Sequence, residues 1–295
     1  MFTGTHTLND GYHIPMVGLG ISRIVGKESV DESVGAALDA GYRLFDTAHI
    51  YENEAELGAA LKKHLERLSL KREDVFITTK VKTVNEKTRE HLEKHLKESL
   101  EKLQLEYIDL VLVHYPRDRD TGKDEDYEAN KKGRKIAYQF LEEQKENGII
   151  KSIGVSNYEV YHLVELFDYA KYKPAVNQCE FTPRFTRPGL LNFHRVHNIF
   201  FQAFSSLCWG DKEILNTPAV EELAKKYDVS PQTILYAFAF NSGVGIIPKS
   251  ANPTRIPDNL HKVVACKLSS EELKPLFELD RNLSFCPGCF PWRCL

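Results

Sequence analysis

Short apolar runs alternate along this chain with longer segments whose apolar residues recur at helical spacing. The apolar runs predict strands at 43–46, 75–80, 108–114, 152–155, 175–180, 199–204 and 243–248, after a first core strand at 16–20. The amphipathic segments predict helices at 30–40, 55–68, 87–103, 134–147, 159–170, 217–227, 231–240 and 270–279. Because helices connect neighbouring parallel strands, this alternation predicts an α/β protein.

Eight such strands favour a single (β/α)8 TIM barrel over residues 1–295. A doubly wound sheet is the alternative, and it is weakened because no G-x-G-x-x-G turn follows an early strand. The Asn9-Asp10-Gly11 segment predicts a turn, and therefore an N-terminal hairpin before the first core strand. We expect the C-terminal tail to lie over the pocket.

Composition and charge exclude several classes of protein. The net charge is −3 and the pI about 6.4, so no basic surface indicates a nucleic acid or membrane partner. No apolar run reaches the roughly 20 residues of a membrane helix, and the N-terminus has no signal-peptide pattern. With no secretory signal, the six cysteines predict free thiols in a reducing compartment, and we expect a cytoplasmic protein. We also expect a monomer that acts on a small molecule. The densest charged run, 123–134, predicts a solvated loop.

Polar side chains stand where most of these predicted strands end. They are Asp46, Lys80, His114, Ser156, Asn157, Asn177, Gln178, Lys249 and Ser250. Any one of them has an ordinary explanation, since Asp46 suits a turn and the nearby Tyr51 suits packing. As a group they favour a catalytic site, because the active sites of barrels lie at the C-terminal ends of the strands.

These residue types fit acid catalysis. A tyrosine phenol has a reference pKa near roughly 10, and a neighbouring Lys80 would lower the pKa of Tyr51. Asp46 would hold Lys80 charged, and His114 would hydrogen-bond to a carbonyl oxygen or to the Tyr51 hydroxyl. Such a group protonates an oxygen on which negative charge develops, as in carbonyl reduction. Side chains supply no hydride, so a cofactor is required. No metal-ligand cluster is visible in the sequence, and no metal is expected.

The chain resembles the aldo-keto reductase superfamily over nearly its full length. The matching segments are VGLG at 17–20, FDTAHIY at 45–51 with Asn53 and Glu54, ITTK at 77–80, YIDLVLVH at 107–114, SIGVSN at 152–157, Asn177-Gln178, and IPKS at 247–250 with Arg255 and Asn259. The resemblance implies a barrel that reduces aldehydes and ketones with NADPH. The catalytic tetrad that it implies is Asp46, Tyr51, Lys80 and His114.

The resemblance also implies a cofactor site. Ser156, Asn157 and Gln178 would contact the nicotinamide amide, and Phe204, where a tyrosine is usual, would stack on the ring. Lys249, Ser250 and Arg255 combine charge and a hydroxyl in a way that suits the 2′-phosphate of NADPH. The other expected cofactor contacts are Gly20, Ile21, Ser22, Asp46, Ser205, Leu207 and Asn259. The expected substrate contacts are Ser22, Tyr51, His114 and Tyr115.

The sequence departs from the family pattern at the pocket. Ile21-Ser22 stands where the family has threonine and an aromatic residue, so one aromatic wall is missing and the pocket is expected to be wide. The tail aromatics Phe290 and Trp292 are candidates to refill that space. The tail also carries Cys286, Cys289 and Cys294. The C-x-x-C pair leaves three interpretations open, namely free thiols, a reversible disulfide or a metal ligand pair.

The leading hypothesis is an NADPH-dependent carbonyl reductase with Tyr51 as its proton donor. A second hypothesis is a regulatory or sensor protein that binds NADPH on the same barrel with little turnover. A phosphate-binding lyase or isomerase is a third, because a fold alone does not determine function. It is disfavoured because the glycines at 243 and 245 open a strand rather than follow one. The sequence does not identify the physiological substrate.

Overall fold

A computed structural model describes residues 4–120, 122–286 and 291–294. The chain opens with the predicted hairpin, in which β1 (Thr5–Thr7) pairs antiparallel with β2 (His13–Pro15). Gly11 has a φ of 89° at the turn, a conformation that glycine adopts without steric cost. Leu8 and Ile14 are buried against apolar side chains of the strands that follow. The hairpin is thereby attached to the barrel by its apolar side.

Eight parallel strands follow in chain order. They are β3 (Leu19–Gly20), β4 (Leu44–Asp46), β5 (Phe76–Val81), β6 (Ile108–Val113), β7 (Ile150–Ser156), β8 (Val176–Glu180), β9 (Phe200–Phe204) and β10 (Gly245–Ile246). Each pairs with the next, and a parallel bridge between Val17 and Ile246 joins the two edges. The amide of Gly18 donates to the carbonyl of Ile246 at 2.9 Å across this seam. The predicted (β/α)8 barrel is confirmed.

Helices connect the strands. They are α1 (Lys27–Ala40), α2 (Glu54–Arg67), α3 (Thr88–Leu103), α4 (Tyr127–Glu146), α5 (Val160–Phe167), α6 (Pro188–His197), α7 (Lys212–Leu215), α8 (Pro218–Tyr227), α9 (Pro231–Asn241), α10 (Arg255–Ala265) and α11 (Ser270–Phe277). Two starts follow local rules. Ser230 caps α9 by accepting from the amide of Thr233, and Ser269 and Glu272 form a capping box on α11.

The core has two layers. The larger apolar cluster lies between the strands and the surrounding helices, and includes Val34, Phe45 and Leu141. The smaller one contains Leu44 and Leu110, whose strand neighbours Phe45 and Val111 belong to the larger cluster. Successive side chains of a strand point to opposite faces, so both faces of the sheet are buried. In the described residues, no helix combines the length and apolar character needed to cross a membrane.

The prediction of a loop over 123–134 was wrong beyond Asp126, because α4 begins at Tyr127. Arg134 is 1% exposed, and its guanidinium pairs with Glu165 at 2.6 Å. One charged residue of this run, Arg134, thus forms a buried ion pair from the inner face of α4. The run therefore does not form a wholly solvated segment.

Candidate active site

A cavity of about 550 Å³ opens at the C-terminal ends of the strands. Twelve predicted site residues line it, namely Gly20, Ser22, Asp46, Tyr51, His114, Ser156, Asn157, Gln178, Phe204, Ser205, Leu207 and Lys249. A larger depression of about 680 Å³ lies beside α1 and α10 and includes Gly41 and Arg43, which precede β4. Chemistry in this fold lies at the opposite ends of the strands, so the smaller cavity is the candidate site.

A buried ion pair forms the floor of the cavity. Lys80 is fully buried, and its ammonium donates to Asp46 Oδ1 at 2.6 Å and to the carbonyl of Thr47 at 2.7 Å. The second oxygen of Asp46 accepts from Gln178 Nε2 at 2.7 Å. Burial by itself lowers the pKa of Lys80, but the charge of Asp46 and the neighbouring Tyr51 outweigh it, so the pKa is raised. The ammonium therefore stays charged at neutral pH.

The turn His49–Tyr51 follows β4 and carries the phenol. Two buried side chains immediately after it fix its position. Asn53 donates to the carbonyls of Ile21 and Ile24 at 2.9 and 3.0 Å, and it accepts from the Thr47 hydroxyl at 2.9 Å. Glu54 accepts from the hydroxyls of Thr79 at 2.7 Å and Ser99 at 3.0 Å. Both side chains thereby hold Tyr51 in place, which explains why they accompany it in the sequence motif.

The environment of Tyr51 combines opposing effects on its acidity. Burial raises the pKa of the Tyr51 hydroxyl, whereas the charge of Lys80 and hydrogen bonds from Lys80 and Ser22 lower it. Burial outweighs the other effects, and the net pKa lies above the ordinary value. The predicted direction of the Lys80 effect is confirmed, but the expectation of a net lowering was wrong. Tyr51 therefore holds its proton at neutral pH.

His114 follows β6 and faces the same cavity. Its ring lies edge-on to Tyr51, with 5.7 Å between ring centroids. Burial, followed by the charges of Lys80 and Arg119, lowers the pKa of His114 well below its usual value, so the imidazole is neutral. A neutral imidazole offers one N–H donor without bringing a second positive charge next to Lys80. This arrangement suits hydrogen bonding to an uncharged carbonyl oxygen.

The residues expected at the nicotinamide are joined by hydrogen bonds. Ser156 donates to the carbonyl of Gln178 at 2.8 Å, and the Asn157 amide donates to the carbonyl of His114 at 3.1 Å. Phe204 lies half-buried at the end of β9 and lines the cavity. A β-carbon at Gly20 would lie 2.9 Å from the carbonyl oxygen of Ile247, so the backbone passes close here.

Six predicted residues lie outside the cavity lining, namely Ile21, Lys80, Tyr115, Ser250, Arg255 and Asn259. Lys80 lies beneath Tyr51, with its ammonium 5.0 Å from the centre of the Tyr51 ring. Tyr115 lines an adjoining cavity of about 270 Å³. Arg255 begins α10 at the surface, and Ser250 accepts from the amide of Asn252 at 3.0 Å. Ile21 is fully buried, and its amide donates to Asp46 O at 3.0 Å.

Sequence reasoning missed several residues that line the cavity. Arg23 and Trp209 come from two different loops, and the guanidinium lies 4.6 Å from the centre of the indole. Arg119 lines both the main and the adjoining cavity. Tyr236 and Cys286 reach the lining from α9 and the tail. Long-range loop contacts place these side chains, and no local pattern marks them.

The tail crosses the rim at Cys286 after the Ser284 hydroxyl and the Phe285 amide donate to Glu180 at 2.5 and 2.6 Å. Trp292 packs edge-on against Phe185, with 5.6 Å between ring centroids, and in the described part of the chain it is not among the lining residues. The expectation that it refills the pocket was wrong. Cys289 and Phe290 lie outside the described residues. The cysteines at 179, 208, 266 and 294 are free thiols.

The protein is thus a (β/α)8 barrel with a buried lysine–carboxylate pair beneath a tyrosine in its cavity. Comparisons with known proteins give its family. The model of the Aldo/keto reductase family matches residues 1–281, and the chain belongs to this family. Membership makes it an oxidoreductase of carbonyl compounds, in a family for which NADP is typical.

Individual relatives agree with this assignment. The chain is 36% identical to aldose reductase B of Dictyostelium discoideum, over 96% of this chain and 94% of the relative. It is 37% identical to methylglyoxal reductase DkgA of Escherichia coli O157:H7, over 93% of each. The structure of the aldose reductase from Schistosoma japonicum superposes with a TM-score of 0.85 at 30% identity, covering 96% of this chain and 94% of that one.

Proposed function

We propose that this protein reduces aldehydes and ketones to alcohols with NADPH, and that Tyr51 is the proton donor. The observation that carries the proposal is geometric: the Tyr51 ring lies edge-on to His114 and above the buried Lys80–Asp46 pair. The raised pKa of Tyr51 and the lowered pKa of His114 agree with a proton donor beside a neutral imidazole. Tyr51, His114 and Asp46 line one cavity, Lys80 lies directly beneath it, and Lys249 lines the same cavity. The alternative of a sensor with little turnover is disfavoured because each catalytic residue type is in place.

The residues present fit NADPH. Phe204 offers a flat aromatic face, and the nearby Ser156, Asn157 and Gln178 offer amide and hydroxyl groups. The Ser206 hydroxyl lines the cavity, is buried, and has no hydrogen-bond partner within the described residues, so it suits a polar ligand atom. Lys249 supplies positive charge at the exposed end, and Arg255 lies beyond it. When bound, NADPH supplies the hydride.

The chain's own residues perform the proton chemistry. His114 and the Tyr51 hydroxyl converge on the space where a carbonyl oxygen binds, and they orient it by hydrogen bonding. As negative charge develops on that oxygen, Tyr51 transfers its proton to it. The charge of Lys80 stabilises the phenolate left behind, and Asp46 holds Lys80 in position. The buried floor also keeps water away from the reacting oxygen.

The substrate end of the cavity carries a cation. Arg119 lines both cavities near His114, is exposed, and forms no ion pair within the described residues. Its neighbours Lys82 and Arg117 are instead paired with Asp120 and Asp124, at 2.7 Å each. We therefore include in the proposal a preference for carbonyl compounds that carry an anionic group. Arg119→Gln should raise KM for such compounds more than for neutral aldehydes of similar size.

The test of the function uses the purified full chain with NADPH and a panel of aldehydes and ketones. We expect the near-ultraviolet absorbance of NADPH to fall only when a carbonyl compound is present, with alcohol formed in equal amount. NADPH binding without turnover across the panel would favour the sensor alternative. We also propose that the protein is a monomer, that it forms a single domain and that it acts in the cytoplasm. Light scattering of the protein as it elutes from a size-exclusion column tests whether it is a monomer.

A further inference from the structure

Beside the turn that carries Tyr51, the fold brings together three side chains that suit a metal ion. His49 lies in that turn, and His95 and Glu98 lie on α3. One potential ligand atom from each of the three lies within 4.8 Å of the others. We propose that His49, His95 and Glu98 form a binding site for Zn²⁺.

The three side chains are already in contact with one another. His49 Nε2 lies 2.8 Å from Glu98 Oε2, and the rings of His49 and His95 stack with 3.8 Å between centroids. His91, one helical turn before His95, adds a third imidazole with its ring centre 3.7 Å from that of His95. His95 therefore contacts an imidazole ring on each side, and the histidines are grouped beside the Glu98 carboxylate.

Unpartnered nitrogen atoms provide a second, independent observation. His95 Nδ1 and His91 Nε2 are buried, and neither has a hydrogen-bond partner within the described residues. Leaving a buried polar atom unpaired costs about 1–3 kcal/mol. A cation held beside these rings would give the His95 nitrogen the partner that it lacks.

The ligand set determines which ion fits. Two imidazoles and one carboxylate, with a fourth position open to water, form a common tetrahedral zinc arrangement. The carboxylate is accessible, since Glu98 is 33% exposed and, among the described residues, its other oxygen forms one ion pair, with the Lys94 ammonium at 3.8 Å. His49 is 15% exposed and borders solvent. The two stacked rings must rotate so that one nitrogen of each faces the ion, and solvent on one side gives them room.

An ion at this site would link α3 to the turn that holds Tyr51. His49 and Tyr51 are the two ends of one short turn. Binding of Zn²⁺ to the folded chain should therefore raise the melting temperature, since a ligand bound only to the native state stabilises it. This inference does not depend on the proposed reductase activity, and its test measures binding directly.

The experiment uses the untagged full chain, stripped with a chelator, and measures Zn²⁺ binding by competition with a zinc-sensitive dye. We expect one ion per chain and a rise in melting temperature. Loss of an outer-shell partner alone weakens metal binding by about 10–100-fold, so His95→Gln and Glu98→Gln should each weaken it at least about 100-fold. Co²⁺ bound at the same site should show the absorption bands of a tetrahedral ion, and both variants should lose them.

The matched control is His13→Gln, which alters an exposed histidine of the N-terminal hairpin. It should bind Zn²⁺ as the unaltered chain does. Circular dichroism establishes that every variant is folded. The proposal is overturned if the unaltered chain binds no Zn²⁺, or if both cluster variants bind it normally. Binding that survives His95→Gln but disappears in Cys286→Ser would place the ion at the tail and would equally overturn it.

Discussion

The two ends of the active-site cavity satisfy their charges in opposite ways. At the floor, the Lys80 ammonium, the Asp46 carboxylate and the Gln178 amide are joined by hydrogen bonds of 2.6–2.7 Å and are buried. At the exposed end, Lys249 lines the cavity and Arg255 lies beyond the lining; both are exposed, and neither forms an ion pair within the described residues. One end is complete within the protein, whereas the other has charge free for a ligand.

This difference shows where each kind of binding energy is used. A preorganised floor needs no rearrangement when charge develops on the substrate, so its effect falls on the rate. The unpaired Lys249 and Arg255 side chains are flexible and gain a partner only when an anionic ligand binds, so their effect falls on ligand affinity. Variants at the floor should therefore change kcat, and variants at the exposed end should change cofactor binding.

The largest expected effect is that of Tyr51→Phe. It removes the acidic proton but keeps the ring against His114. Loss of a general acid lowers the rate by typically about 10²–10⁴-fold, so kcat should fall by at least that range. NADPH affinity, measured by quenching of protein fluorescence, should stay within about twofold of that of the unaltered chain, because the lost hydroxyl acts in proton transfer and not in cofactor binding. Near-normal turnover would show that another group donates the proton.

Arg255→Gln should have the next largest effect, on affinity alone. A hydrogen bond to a charged group corresponds to roughly a tenfold to hundredfold change in binding, so NADPH should bind about that much more weakly. NADH lacks the 2′-phosphate, and its binding should barely change. Lys262→Gln is the matched control, because Lys262 is an exposed cation on the same helix that pairs with Asp258. Equal losses for NADPH and NADH would contradict a phosphate contact.

Ser22→Trp tests the width of the pocket between the two ends. Ser22 lines the cavity and hydrogen-bonds to Tyr51. Filling the space with an indole should lower the ratio of kcat/KM for large ketones to that for small aldehydes by roughly tenfold. Ser22→Ala is needed beside it, because it removes the hydrogen bond without filling the space. If the two variants change the ratio alike, the pocket is not limited at Ser22.

The smallest expected effect is that of pH. Burial raises the pKa of Tyr51 above its ordinary value, so the phenol stays protonated through neutral pH. The proton needed for reduction is then lost only as the pH rises through that raised pKa, above roughly 10. At saturating NADPH, kcat should vary by less than about twofold between about pH 6 and about pH 9. A decline centred near neutral pH would mean that Lys80 outweighs burial.

The barrel and the catalytic floor could be predicted from the sequence because both depend on local patterns. Asp46 and His114 stand where an apolar run stops, and that position alone brings them to one end of a parallel barrel. The predicted helices did not include α10, although the first turn of a helix tolerates a proline such as Pro257. Its buried residues Ile256 and Leu260 do follow the helical period.

Other features depend on contacts between distant segments. Trp209 reaches the cavity from a loop in which Ser205, Cys208 and Trp209 all have positive φ, a conformation that the residue types do not predict. The His49 and His95 pair likewise joins a turn to a helix that follows much later in the chain. Sequence patterns define the elements, whereas the meeting of loops requires the folded chain.

The seam of the barrel has a consequence for how the protein is made. Val17, just before β3, pairs with Ile246 in β10. This edge of the sheet therefore has its partner near the other end of the chain. During synthesis the earlier strands can pair with one another, but the edge at Val17 stays open until β10 has left the ribosome. Because contacts between distant residues form slowly, closure of this seam should be a late step of folding. In the finished protein, the amides of Gly18 and Gly20 would exchange with solvent during any opening of the seam.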